Sequence, residues 1–364
     1  MSTPGITNQD CLKLTTYFGE RDRAEGRFLA DALIDIYESH DVALSCLLRG
    51  IEGFGIKHRL HTAGLLSLSE DLPAVSVAID ARERIERLLP EVQAASHHGL
   101  ITLERARMLA GCVVDSSSPE HRCEATKLTV YVGRQDRAGD RPAYQAVVGL
   151  LRHSGFAGAT VLLGVDGIVH GVRQRAKFFA RNGGVPLMIV SIGDSERISR
   201  VLPELTAMLP TALITLERVR LCKRDGERLG EPRRLPDTDQ SGLGTWQKLM
   251  IHTGEQARHG STSLHRELVR RLRAAGAAGA TSLRGFWGYH GDHRPHGEHL
   301  WSVRRHVPVL TIVIDTPGNI RRWYAIVDEL TNESGLVTSE IVPAMRATGP
   351  GIRHGGLRLA EPGG

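Results

Sequence analysis

The chain has 364 residues, 41% of them hydrophobic and 24% charged, enough apolar material for two or three domains with cores of their own. Lys and Arg number 46 against 41 Asp and Glu; the net charge of +5 is spread along the chain, without the basic stripe and aromatic platforms of a nucleic-acid binder. The five cysteines form no CxxC pair, no basic leader precedes an apolar run, and no stretch nears ~18 apolar residues, so the expectation is a cytoplasmic protein that is not embedded in a membrane.

The first predicted strand, Lys13 to Gly19, returns as Lys127 to Gly133 and again between Lys248 and Gly254. A polar loop carrying Arg23, Arg137 or Arg258 follows in each copy. In copy one a helix comes next, with Phe28, Leu29, Ala32, Leu33, Ile36 and Tyr37 spaced along one face. The second strand is Ala43 to Leu48, and a long loop from Gly50 to Pro73 leads to a third strand, Ala74 to Ile79. A second helix opens at Asp80, Asp194 or Asp315, each read as the N-cap, with Pro317 in its first turn in copy three. The fourth strand begins Leu100-Ile101-Thr102-Leu103-Glu104 and recurs as Leu213-Ile214-Thr215-Leu216-Glu217, with Glu340 at the matching place in copy three.

Strand, helix, strand, strand, helix, strand is the split βαβ arrangement, so the fold class is α+β: three tandem ferredoxin-like domains. They are placed at 10–110, 126–222 and 246–346, with linkers at 111–125 and 223–245 and a disordered tail at 347–364. Strands such as Leu187 to Ile192 and Val309 to Ile314 are apolar on both faces, whereas two helices cover only one face of a four-stranded sheet. The uncovered faces should therefore pack together about a pseudo-threefold axis, making a monomeric pseudo-trimer.

For chemistry, Arg23, Arg137 and Arg258, with Arg27 beside the first, suit an anion in the clefts between copies. The alternative is a structural arginine pairing across the copies with Glu104, Glu217 or Glu340. Gly50 and Gly53, matched by Gly164/Gly167 and Gly285/Gly288, suit backbone approach to a ligand or simple turn geometry. His290, His293, His296 and His299 recur at every third position and offer a divalent-metal site, with a solvated loop as the alternative. No GxSxG, HExxH, P-loop or strand-borne GxGxxG occurs, so catalysis is not expected.

The loop Arg49-Gly50-Ile51-Glu52-Gly53-Phe54-Gly55, followed by Lys57, His58, His61-Thr62 and Leu72-Pro73, resembles the T-loop region of PII signalling proteins. With Tyr17-Phe18-Gly19-Glu20-Arg21 and Gly26-Arg27-Phe28, copy one is more similar still to the bacterial PII-like group known as domain-of-unknown-function family 190. The resemblance implies a trimeric arrangement that binds a small anionic effector, nucleotides included, between subunits and reaches a transporter or channel through the loop. It also implies ligand-binding roles for Arg49, Gly50, Gly53, Phe54, Gly55, Lys57, His58 and His61. No clustered-glycine turn precedes the fourth strand, so the phosphate cradle of PII proteins has no counterpart here. Copy one alone keeps the Gly-Phe-Gly and His-Thr pattern; the expectation is fewer than three ligands per chain, the tightest at the cleft that holds this loop.

Overall fold

Repeat one runs β1 (Gln9–Gly19), α1 (Leu29–Ser39), β2 (Leu44–Arg49), β3 (Glu52–Phe54), β4 (Pro73–Ala81), α2 (Arg82–Ala95) and β5 (His98–Leu109). Repeat two runs β6 (Glu124–Gly133), α3 (Ala143–His153), β7 (Gly158–Val169), β8 (Pro186–Gly193), α4 (Ser195–Met208) and β9 (Leu213–Arg224). Repeat three runs β10 (Gln247–Gly254), α5 (Leu264–Ala274), β11 (Ala280–Arg284), β12 (Trp287–His290), β13 (Pro308–Asp315), α6 (Pro317–Leu330) and β14 (Leu336–Ile341). A closing hairpin, β15 (Ala344–Gly349) and β16 (Ile352–Gly356), follows. This computed structural model describes residues 9–55, 61–62, 71–109, 123–169, 171–176, 184–239, 242–290, 296–297 and 307–357.

Each repeat pairs its strands antiparallel in the same order. β1 lies between β4 and β5, with Leu14 opposite Ala78 and Leu103, and β2 completes the sheet on β4 with Cys46 opposite Val77. β6 and β10 hold the same central place in their repeats. The chain is thus α+β, in three repeats.

The repeats are joined along both sheet edges, and the junctions follow one another in a cycle. Leu44–Leu48 of β2 pair with Gly164–Val169 of β7, whose other half, Gly158–Val161, pairs with β12 of repeat three. Ala280–Ser282 of β11 then pair with β3 of repeat one. On the other edge the end of β5 pairs with the start of β9, the end of β9 with β14, and β15 with the start of β5.

Burial follows the same cycle. Three cores lie between helices and sheet, one per repeat, and a fourth gathers inner sheet faces: Cys46, Val75 and Val77 from repeat one, Tyr131 and Leu162 from repeat two, Leu310 and Ile312 from repeat three. Phe54 of repeat one is buried in the helix–sheet core of repeat three, Tyr289 of repeat three in that of repeat two, and Ile168 of repeat two in that of repeat one. Such exchanged side chains make each core incomplete without its neighbour.

Four expectations need correcting. The segment from 347, read as disordered, forms β15 and β16 as far as Gly356, because the start of β5 would otherwise leave its outer N–H and C=O groups unpaired. The linker assigned to 223–245 begins as strand: Lys223 and Arg224 finish β9 and turn back through Asp225-Gly226 onto Glu227 and Arg228. Of the three aspartates read as N-caps, only Asp194 holds that place, accepting from Arg197 N at 2.8 Å. Asp80 and Asp315 lie one residue earlier, where Asp80 accepts from Ala43 N and Asp315 from the Trp323 indole. Phe28 is no part of the buried stripe of α1; it is exposed at the helix start beneath the Arg23 guanidinium.

Candidate functional site

The first and last strands of every repeat place a lysine opposite a glutamate: Lys13 and Glu104, Lys127 and Glu217, Lys248 and Glu340. All six are buried. Each lysine also reaches the glutamate of another repeat, so that Lys13 joins Glu104 to Glu217, Lys127 joins Glu217 to Glu340, and Lys248 joins Glu340 back to Glu104. The spacings include 2.7 Å for Lys13–Glu104, Lys127–Glu340 and Lys248–Glu104. Burial disfavours every charge here, yet Glu104 and Glu217 hold the Lys13 ammonium well above the usual lysine range, while at Lys248 burial wins and lowers it. The three carboxylates lie close enough together for one cation, but three ammonium groups already neutralise them. This is a charge-balanced structural ring.

That ring also settles what the glutamates pair with. The partners are the repeated lysines, and the repeated arginines close their own hairpins. Arg23 Nη1 donates to Gly26 O at 2.6 Å, Arg258 Nη1 to Ser261 O at 2.8 Å, and Arg137 to Asp140 O. Arg27 pairs with Asp35 and Arg49 with Glu20, on the surface. The glycines serve strand junctions: a Cβ on Gly53 would lie 2.5 Å from Ala280 O, and Gly288 at φ +144° faces Ala159 O in the same way.

A cavity of about 210 Å³ opens where β3 of repeat one meets repeat three. Gly53, Phe54 and Gly55 line it, and so do Gly279, Ala280 and Thr281, beside them across the β3–β11 pairing. Ile312 and Ile314 add apolar surface, Tyr17 and His98 come from repeat one, and Arg346 and Thr348 from β15. The Arg346 guanidinium stacks 4.8 Å over Trp246 and lies 3.8 Å from Asp315; burial lowers its pKa and Asp315 opposes the shift. Asp22 and Asp71, which also line the cavity, accept from Gly19 N and Arg21 N. The arrangement suits a compact, mostly apolar molecule with one anionic group directed at Arg346.

The corresponding cleft between repeats two and three holds only about 20 Å³. There His290 stands where repeat one has Gly55, Tyr289 donates to Phe156 O at 2.9 Å, and His252 replaces Tyr17. Burial, with His290 adding to it, pushes His252 down to about 3, so it is neutral at physiological pH. At the third junction the position of Gly55 is taken by the buried Val169.

Of the residues singled out in the sequence, the structure brings Gly53, Phe54 and Gly55 to the cavity and leaves Arg23, Arg27, Arg49, Arg137 and Arg258 elsewhere. Gly50 donates its N–H to Pro73 O at the strand junction. Lys57, His58, His293 and His299 lie outside the described residues. His61 and His296 are described in backbone only, paired with Gly53 and Gly288. His290 lies 3.8 Å from Asp225. Arg346 and His98 were not singled out, since no motif or spacing marks them.

A model of the DUF190 family, described as Uncharacterized ACR, matches residues 11–108, 125–221 and 246–344. A UPF0166 protein of Aquifex aeolicus is 31% identical over 98 residues, covering 27% of this chain and 92% of that protein. Another, from Methanocaldococcus jannaschii, is 33% identical over 84 residues, covering 22% of this chain and 76% of the relative. Aspartate kinase from Synechocystis aligns with 94% of this chain and 45% of its own at 12% identity, with a TM-score of 0.21, too low for a shared fold to be read from it.

Proposed function

The chain belongs to the DUF190 family in each of its three repeats, and from that premise we propose that it is a PII-like regulatory protein: a monomeric pseudo-trimer of ferredoxin-like domains that binds a small anionic effector between repeats three and one. Binding, and not catalysis, is the role assigned to the cleft. The effector's presence is transmitted through the repeat-one loop to a partner such as a transporter or channel, from the cytoplasmic side. No helix among the described residues is long and apolar enough to cross a membrane, so contact with a membrane partner would be peripheral.

The observation that carries this reading is the inequality of the clefts: about 210 Å³ beside Gly55 against about 20 Å³ beside His290. Three identical subunits make three equal sites; a chain that joins the copies is free to fill two and keep one. The cyclic strand pairing and the exchange of Phe54, Ile168 and Tyr289 support the pseudo-trimer. Arg346 supports an anionic ligand.

The test is a thermal-shift screen of nucleotides, bicarbonate, 2-oxoglutarate and divalent metals, followed by calorimetry with the best hit, because a ligand specific for the folded state raises the melting temperature. The expected result is an anionic ligand bound once per chain. No stabilising anion, or three equal sites, overturns the reading.

A further inference from the structure

Glu52 occupies the seam between the cavity-forming strand of repeat one and helix α5 of repeat three, 3% exposed. Its backbone pairs with Ser282 on one side and Thr62 on the other. Its Oε2 lies 3.9 Å from both His265 Nε2 and Arg266 Nε, beyond hydrogen-bond reach. Among the described residues neither Glu52 Oε2 nor His265 Nδ1 has a hydrogen-bond partner. From β11 the nearby charge is Arg284, itself held by Glu255 at 3.0 Å; Pro73 and Ala74 of β4 bring none.

The other two junctions answer the same position differently. Between the paired glycines repeat two carries Asp166, which accepts from Gly167 N at 2.8 Å and from Arg173 at 3.0 Å. Repeat three carries Trp287 there, packed edge-on to Tyr144. Among the described residues, the junction that holds the large cavity is thus sealed by a buried carboxylate whose Oε2 has no hydrogen bond and whose counter-charge, Arg266, stands 3.9 Å away. Burial raises Glu52 to about 7, with Arg266 opposing, and lowers His265 to about 4, so His265 is uncharged near neutrality.

We propose that the cavity is proton-linked: protonated Glu52 keeps β3 seated on β11 and α5, and loss of that proton to solvent loosens the Gly53–Gly55 wall. The sign follows from proton binding. The closed form binds a proton that an opened, hydrated carboxyl releases above its ordinary range, so closure is strongest on the acidic side and weakens as pH rises through about 7. That this linkage regulates effector binding rests on the function proposed above; the linkage itself does not.

Hydrogen exchange on the ligand-free full chain tests it, following the amides of residues 51–54 between pH 6 and 8.5 and correcting for intrinsic rates. The expected result is an opening equilibrium about tenfold larger at pH 8.5, given an open-state carboxyl of ordinary pKa. In Glu52→Gln the dependence should vanish, and in Asp166→Asn it should persist. A flat wild-type profile overturns the proposal, whether or not the variant folds, and so does a Glu52→Gln protein that keeps the dependence. Since no ligand is present, a failed effector screen leaves this result standing, and a flat profile leaves the effector reading standing.

Discussion

Single side chains divide here between those that hold the repeats together and those that face the cavity. Lys13 is buried between Glu104 and Glu217. Lys13→Met should cost about 3–5 kcal/mol in urea denaturation, since it leaves three buried carboxylates with only the ammonium groups of Lys127 and Lys248 to neutralise them. Arg23→Ala should move the midpoint little by comparison, because its exposed guanidinium bonds within its own hairpin. At the cavity, Arg346→Ala should weaken the effector by about 1–3 kcal/mol in calorimetry through one lost charge-assisted bond, with the melting curve of the free protein much less affected. Equal binding by wild type and the Arg346 variant would remove the reason for calling the ligand anionic.

At the scale of elements, β3 is only three residues long, yet it carries Gly53 for close approach and Phe54 as an anchor, with Gly55 just past its end as an open wall. Phe54→Ala should therefore cost about 3–5 kcal/mol by emptying a place in the core of repeat three, although the residue belongs to repeat one. Hydrogen exchange should show the loss of protection in α5 and β11 as well as in β3. The closing hairpin is the other short element with a distant effect. Deleting residues 344–364 removes the partner of His98–Thr102, and exchange at that edge of β5 should rise even if the rest of repeat one keeps its protection.

For the whole molecule, the inner sheet faces decide the association. Cys46, Val75, Val77 and Ile79 of repeat one are covered by residues of repeats two and three. A fragment of residues 10–109 should consequently trimerise or aggregate, because it would expose that face together with unpaired strand edges. The intact chain should sediment as a monomer. A soluble, monomeric fragment, or a stable homotrimer of full-length chains, would contradict the account of how the repeats associate.

The chain by itself determined the three repeats, the element order within each and the two-sided apolar strands, because these are local patterns whose period shows in one dimension. It also singled out the Gly53-Phe54-Gly55 segment and predicted that the copies would be unequal there. It left open whether the paired glycines meet a ligand or a turn; the structure shows a third use, a neighbouring strand passing too close for a Cβ. It offered arginines as partners for Glu104, Glu217 and Glu340, and only the convergence of three sheets brings the lysines to them. It closed the last repeat at residue 346, within the strand that pairs with β5 and brings Arg346 to the cavity that Gly53 also lines. Those relations join residues far apart in the chain, from different elements and often from different repeats. They arise from the cyclic closure of the sheet edges, a property of the packed chain that no local spacing records.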